Sequence, residues 1–232
     1  MSNAPERRPI RSFVLRGGRM TAGQQRAFER GWSRWGLDYS PKPLNLDDLF
    51  GPDSPRVLEI GFGMGHSLVE MAATDPQAYY IGIEVHRPGV GSLLHLVSEQ
   101  GLTNLRVFCH DAVEVLRDCI PASALDKVQI FFPDPWHKKR HHKRRLIQRD
   151  FVDLVVTRLR AGGILHLATD WEPYARQMLD ILSSSPGLRN ASEDGTYVPR
   201  PESRPLTRFE QRGTRLGHGV RDLLFTRETA AD

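Results

Sequence analysis

A chain of 232 residues with 39% hydrophobic and 26% charged residues can bury one sizeable core, and its mixed composition excludes disorder and low complexity. No run approaches membrane-spanning length, and the start, Met1-Ser-Asn-Ala-Pro-Glu-Arg-Arg-Pro9, lacks the apolar segment of a secretion signal, so a cytoplasmic protein is expected. The formal net charge is +4, and a single short segment holds six of the 32 Lys and Arg residues, so the rest of the chain is mildly acidic.

Residues 1–20 are Arg- and Gly-rich without apolar periodicity and read as a flexible basic arm. Thr21 to Trp35 spaces Phe28, Trp32 and Trp35 as a short amphipathic helix would, with its aromatics packing on the body in preference to stacking on bases. Residues 1–35 are thus expected as an arm with a short helix, and 36–232 as one catalytic domain. From Arg56 strands and helices alternate. Arg56–Gly61, Ala78–Glu84, Leu105–Cys109, Val128–Phe132 and Ile164–Ala168 read as strands. Gly65–Ala73, Gly91–Gln100, Leu146–Leu159 and Trp171–Leu182 read as helices. Ser183 to Pro205 reads as a long irregular connection, and Leu216 to Thr226 as a last strand or pair. This alternation predicts an α/β protein with a mostly parallel sheet covered by helices on both faces. Cys109 and Cys119 lack CxxC spacing and enough partners for a metal cage, so free thiols and no metal are expected.

Open parallel sheets bind ligands beyond the carboxyl ends of their strands. There the sequence sets Glu59 with the glycines Gly61, Gly63 and Gly65, followed by Glu84, Asp111, Asp134 and Asp170, a carboxylate for each predicted strand. Glu84 comes 23 residues after Gly61, a separation that suits a carboxylate gripping ribose hydroxyls. The pyrophosphate fingerprint GxGxxG is not met, because position 66 is His and the pattern is GxGxG. A ring of acids repels pyrophosphate and favours S-adenosylmethionine, whose sulfonium and ammonium are cationic. The absence of a GK[ST] sequence argues further against ATP.

The most informative segment is Phe131-Phe-Pro-Asp-Pro-Trp-His-Lys-Lys-Arg-His-His-Lys-Arg-Arg145. An aspartate clamped between two prolines is followed by nine residues, six of them Lys or Arg and three His. A charge run is commonly a solvated face, but its place directly after Asp134 points to a reactive pocket opening onto a polyanion. Trp136 suits stacking on a base and packing under the loop about equally. His137, His141 and His142 suit polar contacts better than metal binding. His166, inside an apolar run, suits a hydrogen-bonded core histidine, and His218, between glycines, a structural role.

These residues resemble the bacterial tRNA (guanine-N7-)-methyltransferases. The resemblance runs from about Arg11 to Phe225. It rests on Leu58-Glu-Ile-Gly-Phe-Gly-Met-Gly65, Gly82-Ile-Glu-Val85, Phe132 to Arg145, Ala168-Thr-Asp-Trp171, and Thr207-Arg-Phe-Glu210 followed by Arg215-Leu-Gly-His-Gly219. It implies a Rossmann-like class I fold with a seven-stranded sheet, S-adenosylmethionine as cofactor, and methylation of guanosine 46 in the variable loop of tRNA. It makes Glu59, Gly61, Gly63, Gly65, Glu84 and Asp111 cofactor contacts and places Asp134 at the reaction. Lys138, Asp170, Thr207, Arg208, Phe209 and Glu210 become substrate contacts. Arg140, His141, His142, Lys143, Arg144 and Arg145 become the tRNA-facing segment. Two positions depart from the family pattern: Arg208 stands for a lysine and Arg221 for a tryptophan. A monomer or homodimer is expected. Two rival readings stay open. Methylation of an exocyclic amine is suggested by the loose likeness of Pro133-Asp-Pro-Trp136 to an Asp-Pro-Pro-aromatic tetrad, and disfavoured by the interposed Asp. A non-catalytic RNA-binding protein on the same fold is disfavoured by the intact set Glu59, Glu84 and Asp111.

Overall fold

The apolar runs of the sequence become strands of one sheet, and the amphipathic segments between them become its covering helices. The structure is a computed structural model that describes residues 11–13, 18–206, 210 and 219–229. In chain order it runs α1 (Ala22–Trp35), β1 (Gly36–Leu37), α2 (Leu46–Phe50), β2 (Arg56–Ile60), α3 (His66–Thr74), β3 (Tyr79–Ile83) and α4 (Arg87–Gln100). Next come β4 (Leu105–Phe108), α5 (Ala112–Asp118), β5 (Leu125–Phe131), a 3₁₀ helix (Lys139–Arg144) and α6 (Arg149–Arg158). The chain ends with β6 (Leu159–Thr169), α7 (Glu172–Ser183), β7 (Leu188–Asn190) and β8 (Arg221–Arg227).

The strand order is β1-β4-β3-β2-β5-β6-β8-β7, with β8 antiparallel to both of its neighbours and the other pairings parallel. From β2 the chain steps outward to β3 and β4 and then returns to the other side of β2 as β5. The direction of travel therefore reverses between β2 and β5, and a crevice opens beyond their carboxyl ends. Alternation along each strand divides the core between the two faces. Leu58, Ile81, Val128 and Leu165 face the side covered by α2, α5, α6 and α7. Val57, Tyr80 and Val107 face α1, α3 and α4. Each fully buried aliphatic side chain contributes about 1.5–3 kcal/mol.

Several elements differ from the sequence reading. Among the described residues the sheet has eight strands, the two-residue β1 adding a parallel edge against β4, so the class holds while the count differs from the expected seven. The short α2 and α5 have only one or two turns and too few residues to show a period. The stretch read as a helix from Leu146 begins only at Arg149. β6 runs straight through Ala161-Gly-Gly163, between the expected helix end at Leu159 and the expected strand start at Ile164, with a register shift opposite Leu125 to Lys127. The connection after Ser183 contains β7, whose pairing to β8 supplies the order its polar composition lacks. α4 starts a turn earlier than its apolar period suggests, because Pro88 fits the first turn of a helix. Residues 1–10 and 14–17 of the expected arm lie outside the described residues. α1 packs along α4, with Trp35 buried, as its aromatic spacing implied.

One ionic cluster is buried on the β6–β8 side. The Arg204 guanidinium is fully enclosed and donates to both oxygens of Glu210 (2.6 and 2.9 Å) and both of Asp222 (2.7 and 2.9 Å). His166 Nε2 lies 2.8 Å from Asp222 Oδ1, and burial lowers the imidazole pKa, so a neutral ring donating to the carboxylate accounts for this contact. His166 is therefore the hydrogen-bonded core histidine anticipated from its strand position. Arg204→Met would leave two buried carboxylates without their cation, and a loss of about 3–5 kcal/mol is expected in urea denaturation. Adding Glu210→Gln and Asp222→Asn to Arg204→Met should recover much of that loss. A single substitution that left the midpoint unchanged would contradict this account.

Candidate active site

A cleft of about 440 Å³ sits at the β2/β5 reversal. Its walls are the last residues of β2, β3 and β5 and the turns that follow β2, β3, β4 and β5, together with Leu146, Ser12 and Phe13. The size suits a small-molecule cofactor. Glu84, Asp111 and Asp134 line it.

Glu84 is fixed before any ligand arrives. Its Oε2 accepts the Gly63 N–H (3.0 Å), and its Oε1 accepts the N–H groups of Val85 (2.7 Å) and His86 (3.0 Å). One carboxylate thus ties the glycine turn after β2 to the turn after β3. Gly63 sits at φ +60°, in the left-handed region that a side chain disfavours. α4 presses on the same turn at Gly89, where an added Cβ would lie 2.1 Å from the Gly63 carbonyl oxygen. Gly61 lines the cleft, and Gly65 caps α3 in a left-handed conformation. Asp111 caps α5 by accepting the Val113 N–H (2.9 Å) and also faces the cleft, so it serves both the cap and the pocket.

Glu59 was expected among these groups, but the structure places it elsewhere. Strand alternation turns its side chain toward α3, where it is 3% exposed and accepts from Gln129 Nε2 (2.9 Å), and it does not line the cleft. Burial pushes its carboxyl up to about 7, against the opposing pull of the Gln129 hydrogen bond. Asp170 follows β6, on the far side of β5 from the crevice, and does not line the cleft either. The acidic ring read from the strand ends is therefore three carboxylates wide.

The Pro-Asp-Pro corner is shaped by its backbone. Phe132 and Trp136 bracket it at φ +52° and +45°, conformations that cost a bulky residue about 1–3 kcal/mol and cluster at functional sites. The Asp134 side chain is left exposed at the cleft mouth. Arg145 holds the corner from beneath. It is 3% exposed, donates from Nε to the Pro135 carbonyl (2.9 Å) and from Nη1 to Gln177, and lies over the Tyr174 ring at 4.7 Å. The expected RNA-facing role of Arg145 is thereby corrected: its guanidinium is occupied inside the protein. His142 is half-buried against the same guanidinium (3.1 Å). Lys138, Arg140 and Lys143 are exposed on and beside the 3₁₀ helix, and His141 and Arg144 are half-buried there. Trp136 packs: its indole N–H donates to the Ser12 carbonyl (3.1 Å), with Arg144 over the ring at 5.1 Å. His137 stands edge-on to Trp171 at 4.3 Å.

Thr207, Arg208, Phe209 and His218 lie outside the described residues. Glu210, expected at the substrate, is 6% exposed and receives the Arg204 fork with both oxygens. Arg221 pairs with Glu172 at 3.1 Å and lies 5.9 Å over Tyr197. Sequence reasoning missed His86, His110 and the Ser12–Phe13 wall. The two histidines adjoin the strand-end acids and were findable on that ground. Ser12 and Phe13 carry no periodic signal. Among the described residues, no group of three or more His, Cys, Asp or Glu is placed to hold a metal ion, and no helix is long and apolar enough to cross a membrane.

The donor set fits S-adenosylmethionine. Glu84 offers a carboxylate already oriented by three amides and suited to hydroxyl donors, and the neighbouring acids suit cationic groups. Among the described residues, no Lys or Arg lines the cleft to meet a pyrophosphate.

A family model described as "Putative methyltransferase" matches residues 53–223. A tRNA (guanine-N(7)-)-methyltransferase of Pseudomonas aeruginosa strain PAO1 is 58% identical over 220 residues, covering 95% of this chain and 90% of that protein. The protein of the same name from Shewanella amazonensis is 59% identical over 220 residues, covering 95% and 92%. Among solved structures, the 16S rRNA methyltransferase KamB superposes with a TM-score of 0.61 at 15% identity, covering 83% of this chain and 96% of that one. The aminoglycoside resistance methyltransferase NpmB1 gives 0.55 at 17% identity, covering 82% and 95%. These two likenesses establish the fold.

The Glu59 carboxyl generates a pH prediction. Its folded pKa of about 7 lies above its ordinary value of 4.5, so its contribution is fully present below pH 4.5 and is lost as pH rises through 7. Relative to wild type, Glu59→Gln should therefore become more stable between pH 5 and pH 8, by up to about 3 kcal/mol. Paired denaturation curves at the two pH values would show this, and a constant difference would refute it.

Proposed function

The chain belongs to the tRNA (guanine-N7-)-methyltransferase family, and from that premise we propose how its residues methylate N7 of guanosine 46 in the tRNA variable loop. When bound, S-adenosylmethionine supplies an electrophilic methyl group. Glu84 and Asp111 are the groups that hold it, and Gly61 and Gly63 let the backbone come close. Guanine N7 carries an in-plane lone pair and no proton, so the chain needs no general base. It has to align the base and supply negative potential where positive charge develops.

Asp134 is the residue assigned to that task. It is exposed at the cleft mouth on a corner locked by two prolines, two left-handed residues and Arg145. A carboxylate there can accept from guanine N1–H and from the exocyclic amine, turning N7 inward. That placement is the observation which carries the reading. Lys138, Arg140, Lys143 and Arg144 then meet the phosphates beside the target base, with His141 and His142 as neighbouring polar contacts. Asp170 serves as a contact to the RNA one strand further out. Glu59 and Glu210 act from below the surface, Glu59 under the glycine turn and Glu210 as the anchor that Arg204 grips. A tRNA substrate places this work in the cytoplasm.

Asp134→Ala should lower methyl transfer to tRNA about 100-fold or more, with S-adenosylmethionine affinity by calorimetry held within about threefold. Near-normal transfer by this variant would remove Asp134 from the reaction. Loss of cofactor binding instead would mean that the residue belongs to the cofactor wall.

A further inference from the structure

A second cationic surface lies on the other side of the cleft from the 3₁₀ helix. It is built on α1 and the first turn of α4. Arg26, Arg30 and Arg34 occupy one exposed face of α1 at four-residue intervals, about 6 Å apart along the axis. Arg19 and Arg87 stand together across the α1–α4 seam, on the Phe28 side of α1 and toward the cleft, where His86, the residue before Arg87, forms part of the wall. Gly18 abuts that histidine, since an added Cβ would meet its Nε2 at 2.7 Å.

These five arginines have no ion pair among the described residues. Surface arginines elsewhere do: Arg117 pairs with Asp118, Arg160 with Asp126 and Arg176 with Glu172. The nearby acids are already engaged. Glu29 accepts the Gln25 amide, and Glu99 pairs with His95 at 3.5 Å. Arg34 lies over the Trp35 ring at 4.7 Å in the last turn of α1, but like charges at Arg26 and Arg30 oppose folding slightly and suit an anionic partner.

The stripe is also held rigid. Glycines let α1 press onto α4: an added Cβ at Gly91 would lie 2.8 Å from the Gln24 carbonyl oxygen, and one at Gly31 would lie 3.4 Å from Leu94. Phe28 and Trp32 stack at 4.9 Å, and the Arg87 guanidinium sits 4.5 Å over Phe28. Regular backbone spacing of arginines on a packed helix suits a repeating anion.

We propose that this face of α1, with Arg19 and Arg87, is a second phosphate-binding surface that grips the same tRNA on the side of the cleft opposite Lys138 to Arg144. The proposal rests on the reading that tRNA is the substrate. A base entering the cleft carries backbone away in two directions, and the two cationic surfaces receive one direction each.

The test is a double variant, Arg26→Gln with Arg30→Gln, beside the charge-preserving pair Arg26→Lys with Arg30→Lys. Binding of an unmodified tRNA transcript is measured across a salt series, and S-adenosylmethionine affinity confirms the fold. The glutamine pair should weaken tRNA binding about tenfold and reduce the slope of log affinity against log salt by about 1.5, while the lysine pair stays near wild type. Unchanged affinity and slope in the glutamine pair, with wild type active on tRNA, would overturn this surface and leave the function standing. A wild-type protein that neither binds nor methylates the transcript would overturn both.

Discussion

One buried guanidinium, that of Arg145, fixes the corner on which the site depends. It bonds the Pro135 carbonyl, reaches Gln177 on α7 and lies on Tyr174, so it joins the turn after β5 to the helix that follows β6. Phe132 and Trp136 hold left-handed backbone only because such contacts over-determine the path. With the corner held, Asp134 points to the cleft mouth while the lysines and arginines after it run outward. A linear string of an acid followed by bases thereby becomes two surfaces with different tasks.

Electrostatics follows the same division. Among the described residues, the cleft carries Glu84, Asp111 and Asp134 and no Lys or Arg, which suits a cationic cofactor and a base that becomes cationic on methylation. The cations stand outside, where phosphates are met in water and each contact is weak and salt-sensitive. Glu84 is the counterpart of Arg145 on the cofactor side, drawing the loops after β2 and β3 together through three backbone amides. Two ionic side chains, one acidic and one basic, set the two halves of the site.

Much of this was legible in the sequence, for identifiable reasons. The apolar runs and the glycines between them mark a parallel sheet whose carboxyl ends face the ligand, and the positions of Glu84, Asp111 and Asp134 follow from that rule. What escaped depends on side-chain direction and long-range contact. Glu59 lies one residue from the strand end, and strand alternation sends it toward α3 instead of into the cleft. Arg145 looks like its neighbours in the sequence, yet the chain beyond the 3₁₀ helix turns it inward. Glu210 meets Arg204, six residues before it, in a pairing that no periodicity announces. β1, α2 and β7 are too short to display a period, and their order comes from their neighbours.

The central claim is that the cleft presents guanine N7, at one position of tRNA, to a methyl donor. The most direct measurement is methylation of two unmodified transcripts that differ only in carrying guanine or adenine at position 46, followed by nuclease digestion and mass spectrometry. The account predicts 7-methylguanosine from the first transcript and none from the second. A methyl group on an exocyclic amine, or 7-methylguanosine from both transcripts, would contradict it.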